Sequence, residues 1–121
     1  MPALPDEALV VRGGQNLPEN FIQGSEVQIE SGGELQRVSV NSSPEATIEA
    51  LTAPNPQTGY PGILHTQIGV TTVGAVRAAG GDVVPAPTKP NPYHALLSGL
   101  TPEQASVLFQ PTMKNPNKRE K

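Results

Sequence analysis

The chain has 121 residues, which is enough for one ordinary domain and too few for two domains with separate cores. It has no cysteine, which excludes disulfides and thiolate metal sites, and its net charge of −3 argues against a broad nucleic-acid-binding surface. The 14 prolines and 12 glycines predict a high loop content. Because no apolar run has the length of a signal or a membrane span, we expect a cytoplasmic protein without membrane contact.

The first predicted element is a buried strand. Residues 1–6 contain two prolines and are expected to form a flexible N-terminus. Residues 8–12 form an apolar run that ends in Arg12 and is followed by Gly13-Gly14, a pattern typical of a strand that leads into a sharp turn. With this N-terminus and the C-terminal tail after residue 110 left out, the folded domain is expected to span residues 7–110.

A β-hairpin and a short helix are predicted next. Over residues 26–41, apolar and polar residues alternate on both sides of Gly32-Gly33, a glycine pair that permits a tight reversal. One face of this hairpin would be apolar and the other polar. The helix is expected to have Ser43 as its N-cap and to end near Thr52.

The middle of the chain combines a predicted loop with a second helix. Residues 53–69 hold repeated prolines and glycines and are expected to be loop. Residues 71–79 are predicted to be helical, with a threonine as cap and Gly80-Gly81 as the stop. A strand over residues 82–84 should follow directly.

A proline-rich loop is expected to separate the last two strands. Residues 85–92 contain four prolines, which cannot donate to a sheet ladder, so this segment is predicted to be a stiff loop. Residues 93–97 are predicted to be a strand that pairs antiparallel with residues 82–84. The capping-box pattern Thr-Pro-Glu-Gln predicts a helix over residues 101–109. Residues 111–121 are expected to be a disordered basic tail.

Together these elements predict an α+β fold with a small, mostly antiparallel sheet and two or three short helices packed on one face. The sequence has no Walker loop, dinucleotide fingerprint or Gly-x-Ser-x-Gly motif, and turns explain its glycine pairs. His65 and His94 lie far apart with no carboxylate at ligand spacing, so metal binding is disfavoured.

Arg12 and His94 are the strongest candidates for a functional site. Arg12 ends an apolar strand beside two glycines, where its guanidinium can bind a phosphate or carboxylate in a fork; the alternative is an arginine that pairs with water or a helix carboxylate. His94 follows the stiff proline loop, which would hold it at the sheet rim for acid–base chemistry; the alternative is an ordinary, partly buried strand histidine. A catalytic role requires both side chains to meet in one cleft.

Two short stretches resemble parts of bacterial toxin domains. Residues 10–14, Val-Val-Arg-Gly-Gly, resemble the first-strand arginine motif of small ADP-ribosyltransferase-type toxins, and residues 39–43 are similar to their serine-bearing strand. This resemblance implies that Arg12 grips the pyrophosphate of NAD and that Ser39 supports the pocket. Without it, no cofactor is expected.

The segment from residue 69 to residue 109 resembles the C-terminal toxin modules of bacterial competition systems, some of which are metal-independent RNases. This resemblance implies that His94 is the general base toward a ribose 2′-hydroxyl and that Arg12 or Lys89 stabilises the charge of the phosphorane. Tyr93 and Thr72 are further candidate binding residues.

Three functions stay open at this point. The leading hypothesis is a small toxin-like enzyme that acts on RNA or on a dinucleotide. The second is a non-catalytic interaction module that binds a protein partner through residues 85–92 and the polar sheet face. The third is a domain whose residues serve folding alone and which functions by oligomerisation. The sequence does not decide whether the protein is an enzyme.

Overall fold

A computed structural model describes residues 3–22 and 27–117. Within these residues it contains a six-stranded antiparallel sheet, a separate two-stranded sheet and three α-helices, which confirms the predicted α+β class. The strands are β1 (Leu9–Gly13), β2 (Gln28–Ile29), β3 (Leu35–Gln36), β4 (Val38–Ser42), β5 (Gln67–Thr72), β6 (Asp82–Pro85), β7 (His94–Ser98) and β8 (Met113–Lys114). The helices are α1 (Ile48–Thr52), α2 (Val73–Ala78) and α3 (Pro102–Phe109), preceded by a 3-10 helix, Pro18–Ile22.

The six-stranded sheet has the order β6-β7-β4-β1-β5-β8. Its central strand β1 pairs with β4 on one side and with β5 on the other. The edge strand β6 pairs antiparallel with β7, with Asp82 opposite Ser98 and Pro85 opposite Ala95. The predicted pairing across the proline-rich loop is therefore confirmed.

Successive residues of β1 belong to two hydrophobic clusters, one on each face of the sheet. Val10 lies in the larger cluster with Phe21 and Phe109, whose ring centroids are 5.8 Å apart. Val11 lies in the smaller cluster with Leu51 of α1. We call the side of the larger cluster face A and the side of the smaller cluster face B. Helices α2 and α3 pack on face A, so two helices share one face as predicted, and α1 covers part of face B.

Helices α3 and α2 begin at threonine caps. In α3, Thr101 Oγ1 accepts from the Gln104 N–H at 3.2 Å, and the Gln104 side chain accepts from the Thr101 N–H at 2.9 Å, which is the predicted capping box. In α2, Thr72 Oγ1 accepts from the Ala75 N–H at 3.1 Å. The helix therefore starts at Val73, two residues after the predicted start, because Thr72 still belongs to β5.

Strand β5 differs from the sequence-based prediction, which places loop and helix over these residues. Gly69 lies in the middle of β5, where an added Cβ would come 2.7 Å from the Cβ of Phe109. A glycine is therefore needed for α3 to approach the sheet, although the same glycine weakens the strand pattern in the sequence. Residues 53–66 consist of turns and loop, apart from a bridge between Asn55 and Tyr60.

The predicted hairpin over residues 26–41 is wrong in its second half. Strands β2 and β3 pair around Gly32-Gly33 as a small separate sheet. Arg37 has a φ of 65°, and this left-handed residue separates β3 from β4. Strand β4 then joins the central sheet between β1 and β7. The beginning of the predicted hairpin, residue 26, lies outside the described residues.

Helix α1 begins later than predicted. Its N-cap is Thr47, whose hydroxyl accepts from the Ala50 N–H at 3.1 Å, and not Ser43. Glu45 has a φ of 62°, a left-handed conformation that interrupts helical geometry. The chain therefore makes a turn after Ser43 before the helix starts.

The N-terminal segment packs on the domain from residue 4 onward, although residues 1–6 are predicted to be flexible. Leu4 is 3% exposed and belongs to the face A cluster. Asp6 accepts a hydrogen bond from Arg77 at 2.7 Å, and the same arginine donates to Asp82 at 3.0 Å. The apolar contact of Leu4 explains why the segment is held, and residues 1 and 2 lie outside the described part of the chain.

The chain after residue 110 also packs on the domain, in contrast to the disordered tail predicted over residues 111–121. Strand β8 pairs with the edge of β5. Asn115 is fully buried, and its side-chain amide donates to the carbonyls of Ile63 and His65 at 2.8 and 2.9 Å. The domain therefore continues at least to Asn117, and residues 118–121 lie outside the described residues.

Candidate functional site

His94 is held in a fixed orientation at the start of β7. Its Nδ1 lies 2.8 Å from the carbonyl oxygen of Ala86. Because a carbonyl oxygen only accepts hydrogen bonds, Nδ1 carries a proton, and Nε2 of the neutral ring is an acceptor. The Ala86 N–H donates in turn to the His94 carbonyl at 2.9 Å. The proline-rich loop therefore sets both the position of His94 and the tautomer of its neutral ring.

The hydroxyl of Ser39 lies at the free nitrogen of this histidine. Ser39 Oγ is 3.2 Å from His94 Nε2, so the hydroxyl donates to the ring. In the β4–β7 pair Asn41 is opposite His94, and Ser39, two residues earlier on β4, has the same orientation. The sheet thus brings two of the three predicted catalytic residues, His94 and Ser39, together on face B.

A groove of about 510 Å³ opens over these two side chains. Strands β1 and β4 form its floor, residues 60–65 form one wall, and the proline-rich loop forms the other. Its volume lies within the usual range of small-ligand sites. The polar residues of the lining are Arg12, Ser39, Asn41, Tyr60, His65, Thr88, Asn91 and His94.

The buried side chain of Asn41 connects the floor of the groove to both walls. Asn41 is 5% exposed, and its Nδ2 donates to the Leu51 carbonyl at 2.8 Å and to the Tyr60 hydroxyl at 3.1 Å. Its Oδ1 accepts from Asn91 Nδ2 at 2.9 Å. These partners belong to α1 and to the two walls. The sequence pattern gives no sign that Asn41 is buried in the floor of the groove, because a polar residue in an alternating strand is expected to face solvent.

The guanidinium of Arg12 lies on the opposite face of the sheet. Pairing places Val11 opposite Asn41 and Asn41 opposite His94, so Val11 shares face B with His94, and the next side chain, Arg12, projects from face A. There Arg12 Cζ lies 4.4 Å from the ring centroid of Phe21. Arg12 also lines the groove, but the structure does not bring its guanidinium into one cleft with the imidazole of His94. The expected convergence fails because strand alternation separates them.

Arg12 borders a second cavity of about 480 Å³. Its Nη1 donates to Asn16 Oδ1 and its Nη2 to the Asn20 carbonyl, both at 3.0 Å. Both acceptors are uncharged, and burial lowers the pKa of Arg12 from its ordinary value by desolvation.

His65 lines both cavities and has no role in the sequence analysis. Its ring packs on Gly13, where an added Cβ would come 2.5 Å from His65 Nδ1. The glycine at the end of β1 therefore makes room for this histidine. The only trace of this contact in the sequence is the glycine pair itself, which a sharp turn also explains.

The three predicted binding residues do not form one site. Thr72 uses its hydroxyl to cap α2. Tyr93 packs against the smaller hydrophobic cluster and borders a different, smaller cavity. Lys89 is exposed in the proline-rich loop and is not among the residues that line the groove.

Comparison with known proteins adds no assignment. The chain matches no protein-family model, and neither a curated protein nor a solved structure matches it. Within residues 3–22 and 27–117, no group of three or more metal-ligating side chains could hold a metal ion, and no helix has the length and apolar character needed to cross a membrane. The geometry thus defines a histidine–serine pair in an open groove, and the resemblance to toxin domains stays a prediction.

Proposed function

We propose that the chain is a small toxin-type enzyme that cleaves RNA in the face B groove, with His94 as general base. This mechanism does not use the Arg12 guanidinium, so it replaces the sequence-based hypothesis in which Arg12 and His94 have to meet in one cleft. The observation that carries the proposal is the Ser39 hydroxyl, 3.2 Å from His94 Nε2, on a ring whose Nδ1 is held by Ala86. A ribose 2′-hydroxyl that replaces the serine hydroxyl in the groove meets the same acceptor in the same tautomer.

The proposed reaction is an internal transesterification. His94 Nε2 takes the proton of the 2′-hydroxyl, and the 2′-oxygen forms a bond to the adjacent phosphorus. The bond from phosphorus to the 5′-oxygen of the next nucleotide breaks, and that oxygen takes a proton from protonated His65, which lines the same groove. The products are a 2′,3′-cyclic phosphate and a 5′-hydroxyl. Because the Arg12 guanidinium lies on face A, stabilisation of the phosphorane charge falls to Lys89. Lys89 does not line the groove, but it lies between the lining residues Thr88 and Pro90, and its exposed side chain has to turn towards the phosphate.

The remaining lining supports a nucleotide as the substrate. Ile63, Leu64 and the ring of Tyr60 offer apolar surface for a base, and Thr88 and Asn91 offer hydrogen-bonding groups. The negative net charge of the chain favours a short single-stranded contact over binding along a duplex.

The test is cleavage of a labelled oligoribonucleotide by the purified protein. His94→Gln should lower the rate by about 100-fold or more, because a general base contributes at least that factor. Ser39→Ala should still cleave, because the ribose 2′-hydroxyl replaces the serine hydroxyl at His94 Nε2. Its matched control is Ser31→Ala, since Ser31 is exposed in the turn between β2 and β3. A substrate with one 2′-deoxyribose at the cleavage position should stay intact. Absence of cleavage by the wild type, or equal rates for wild type and His94→Gln, refutes the proposal.

A dinucleotide substrate is tested in parallel, since NAD is the alternative that the transferase resemblance implies. Release of nicotinamide by the wild type and not by His94→Gln, with RNA left intact, would assign the groove to NAD. Urea unfolding of every variant shows that lost activity does not reflect lost folding.

Protein interaction is the second candidate function, and the edge of the sheet favours it. Val84 lies on the edge strand β6 and is 54% exposed. The proline-rich loop 85–92 begins at the next residue along the chain. An extended segment of a partner protein could pair with this edge and contact the loop. Inactivity on both RNA and NAD, together with a partner that binds the wild type and not Val84→Asp, would favour this function.

A further inference from the structure

The charge of Arg12 has no acidic partner among the described residues. Its two hydrogen bonds go to Asn16 Oδ1 and the Asn20 carbonyl, and the ion pairs found in the described residues involve Arg77 instead. A guanidinium has five N–H donors, so these two bonds leave donors over. Burying an arginine without a counter-charge costs free energy, which a bound anion would recover.

The cavity at Arg12 has the lining of an anion site. It measures about 480 Å³, and none of the described residues that line it is an Asp or Glu. Gln15, Thr66 and Gln67 are uncharged polar residues of its lining, and the His65 ring, which packs on Gly13 and Gly14, also lines it. One face of the guanidinium is covered by the Phe21 ring, which fixes its plane.

We propose that this cavity binds a phosphate group, with the Arg12 guanidinium supplying the charge and the planar donor fork. A phosphate presents several acceptor oxygens, which suits a fork surrounded by side chains that can donate. The site is separate from the proposed catalytic groove, because the Arg12 side chain projects from face A and His94 from face B. It meets that groove only at the strand end, where Arg12, Gly13 and His65 line both cavities.

The test is a titration of the wild-type protein with inorganic phosphate at constant ionic strength, followed by NMR at the Nε–H of Arg12. The matched control within the same molecule is Arg77, which is half-buried and already bonded to Asp6 and Asp82. The proposal expects a saturable shift at Arg12 and at the amides of Gly13-Gly14, with Arg77 unchanged. Equal, non-saturating shifts at Arg12 and Arg77, or no shift at Arg12, overturn it.

Two variants test the role of the guanidinium. Arg12→Gln removes the charge and should weaken phosphate binding by about tenfold or more, and Arg12→Lys, which keeps the charge without the fork, should bind with intermediate affinity. Arg77→Gln should bind like the wild type. Unchanged binding by folded Arg12→Gln overturns the proposal. If this variant does not fold, the wild-type titration decides alone.

The source of the phosphate is separated by comparing inorganic phosphate with a nucleoside 5′-monophosphate and with the nucleoside alone. Tighter binding of the monophosphate than of inorganic phosphate identifies a nucleotide site, and equal binding identifies a site for the phosphate group itself. Binding of the nucleoside at Arg12 as tight as that of the monophosphate overturns the proposal. RNA cleavage enters none of these measurements, so the two proposals fail independently.

Discussion

Replacement of Asn41 by alanine should destabilise the domain by about 3 kcal/mol. The change removes three hydrogen bonds, to Leu51, Tyr60 and Asn91, in a side chain that is 5% exposed. Each bond contributes roughly 1 kcal/mol net to stability, and the three together give the total of about 3 kcal/mol. One of those partners is the Leu51 carbonyl of α1, a helix of five residues that is too short to be stable without tertiary contacts.

The assay is urea unfolding followed by circular dichroism, with free energies compared at a common slope. Asn55→Ala is the matched control, because Asn55 is only partly buried and its Oδ1 accepts from the Gln57 N–H within a local turn. This control should cost less than about 1 kcal/mol. A loss below about 1 kcal/mol for Asn41→Ala would refute the assignment of the three bonds.

A double-mutant cycle isolates the bond between Asn41 and Asn91. Asn91 Nδ2 donates to Asn41 Oδ1 at 2.9 Å, and both side chains are buried, so the single substitutions should be non-additive by about 1 kcal/mol. Additive losses would show that the wall formed by the proline-rich loop is held to the floor by other contacts.

Two further substitutions test the face A core and the start of α3 by the same unfolding assay. Phe109→Ala should cost about 4 kcal/mol, because Phe109 is fully buried against Phe21. Phe109→Leu should cost roughly 1.5 kcal/mol. A loss below about 2 kcal/mol for the alanine variant would contradict the packing. Thr101→Ala should cost about 1 kcal/mol through loss of the capping box, and the stability of Thr101→Ser should stay within a few tenths of a kcal/mol of the wild type. Equal losses for alanine and serine would show that the hydroxyl does not cap the helix.

Elements with a complete local signal could be predicted from the sequence. The capping box at Thr101 fixes the start of α3, and the turn residues of 85–92 place β6 and β7 on either side of a loop. In each case the physical cause lies within a few neighbouring residues. The α+β class follows from these elements, because short amphipathic segments must share one core.

Elements set by distant contacts could not be predicted. Strand β5 contains Gly69, which depresses strand propensity, and it forms because β1 pairs along it and Phe109 of α3 packs directly on the glycine. Strand β8 has only two residues and depends on β5 as its pairing partner. The cap of α1 is Thr47 rather than Ser43, because Glu45 between them has a left-handed φ of 62°, which the sequence pattern does not signal.

In the candidate site, too, contacts between residues close in sequence could be predicted and contacts between distant residues could not. The sequence predicts that the proline-rich loop holds His94, and in the structure the Ala86 carbonyl of that loop accepts a hydrogen bond from the imidazole. Its partners Asn41 and Ser39 depend on which strand lies beside β7, and strand order is a property of the whole chain. His65 comes to the groove from a segment without local regularity, so no pattern in the sequence signals it.

Strand register also decides which candidate functional side chains lie on the same face of the sheet. Val10 and Val11 are both fully buried, so β1 must lie between two packed layers, and the side chain after Val11 must enter the layer of Val10. That side chain is Arg12, and the layer is closed by Phe21. The guanidinium of Arg12 and the imidazole of His94 therefore lie on opposite faces, and the two cavities meet only at the end of β1. The two proposed sites accordingly lie on opposite faces, the groove with His94 and Ser39 on face B and the second cavity with Arg12 on face A.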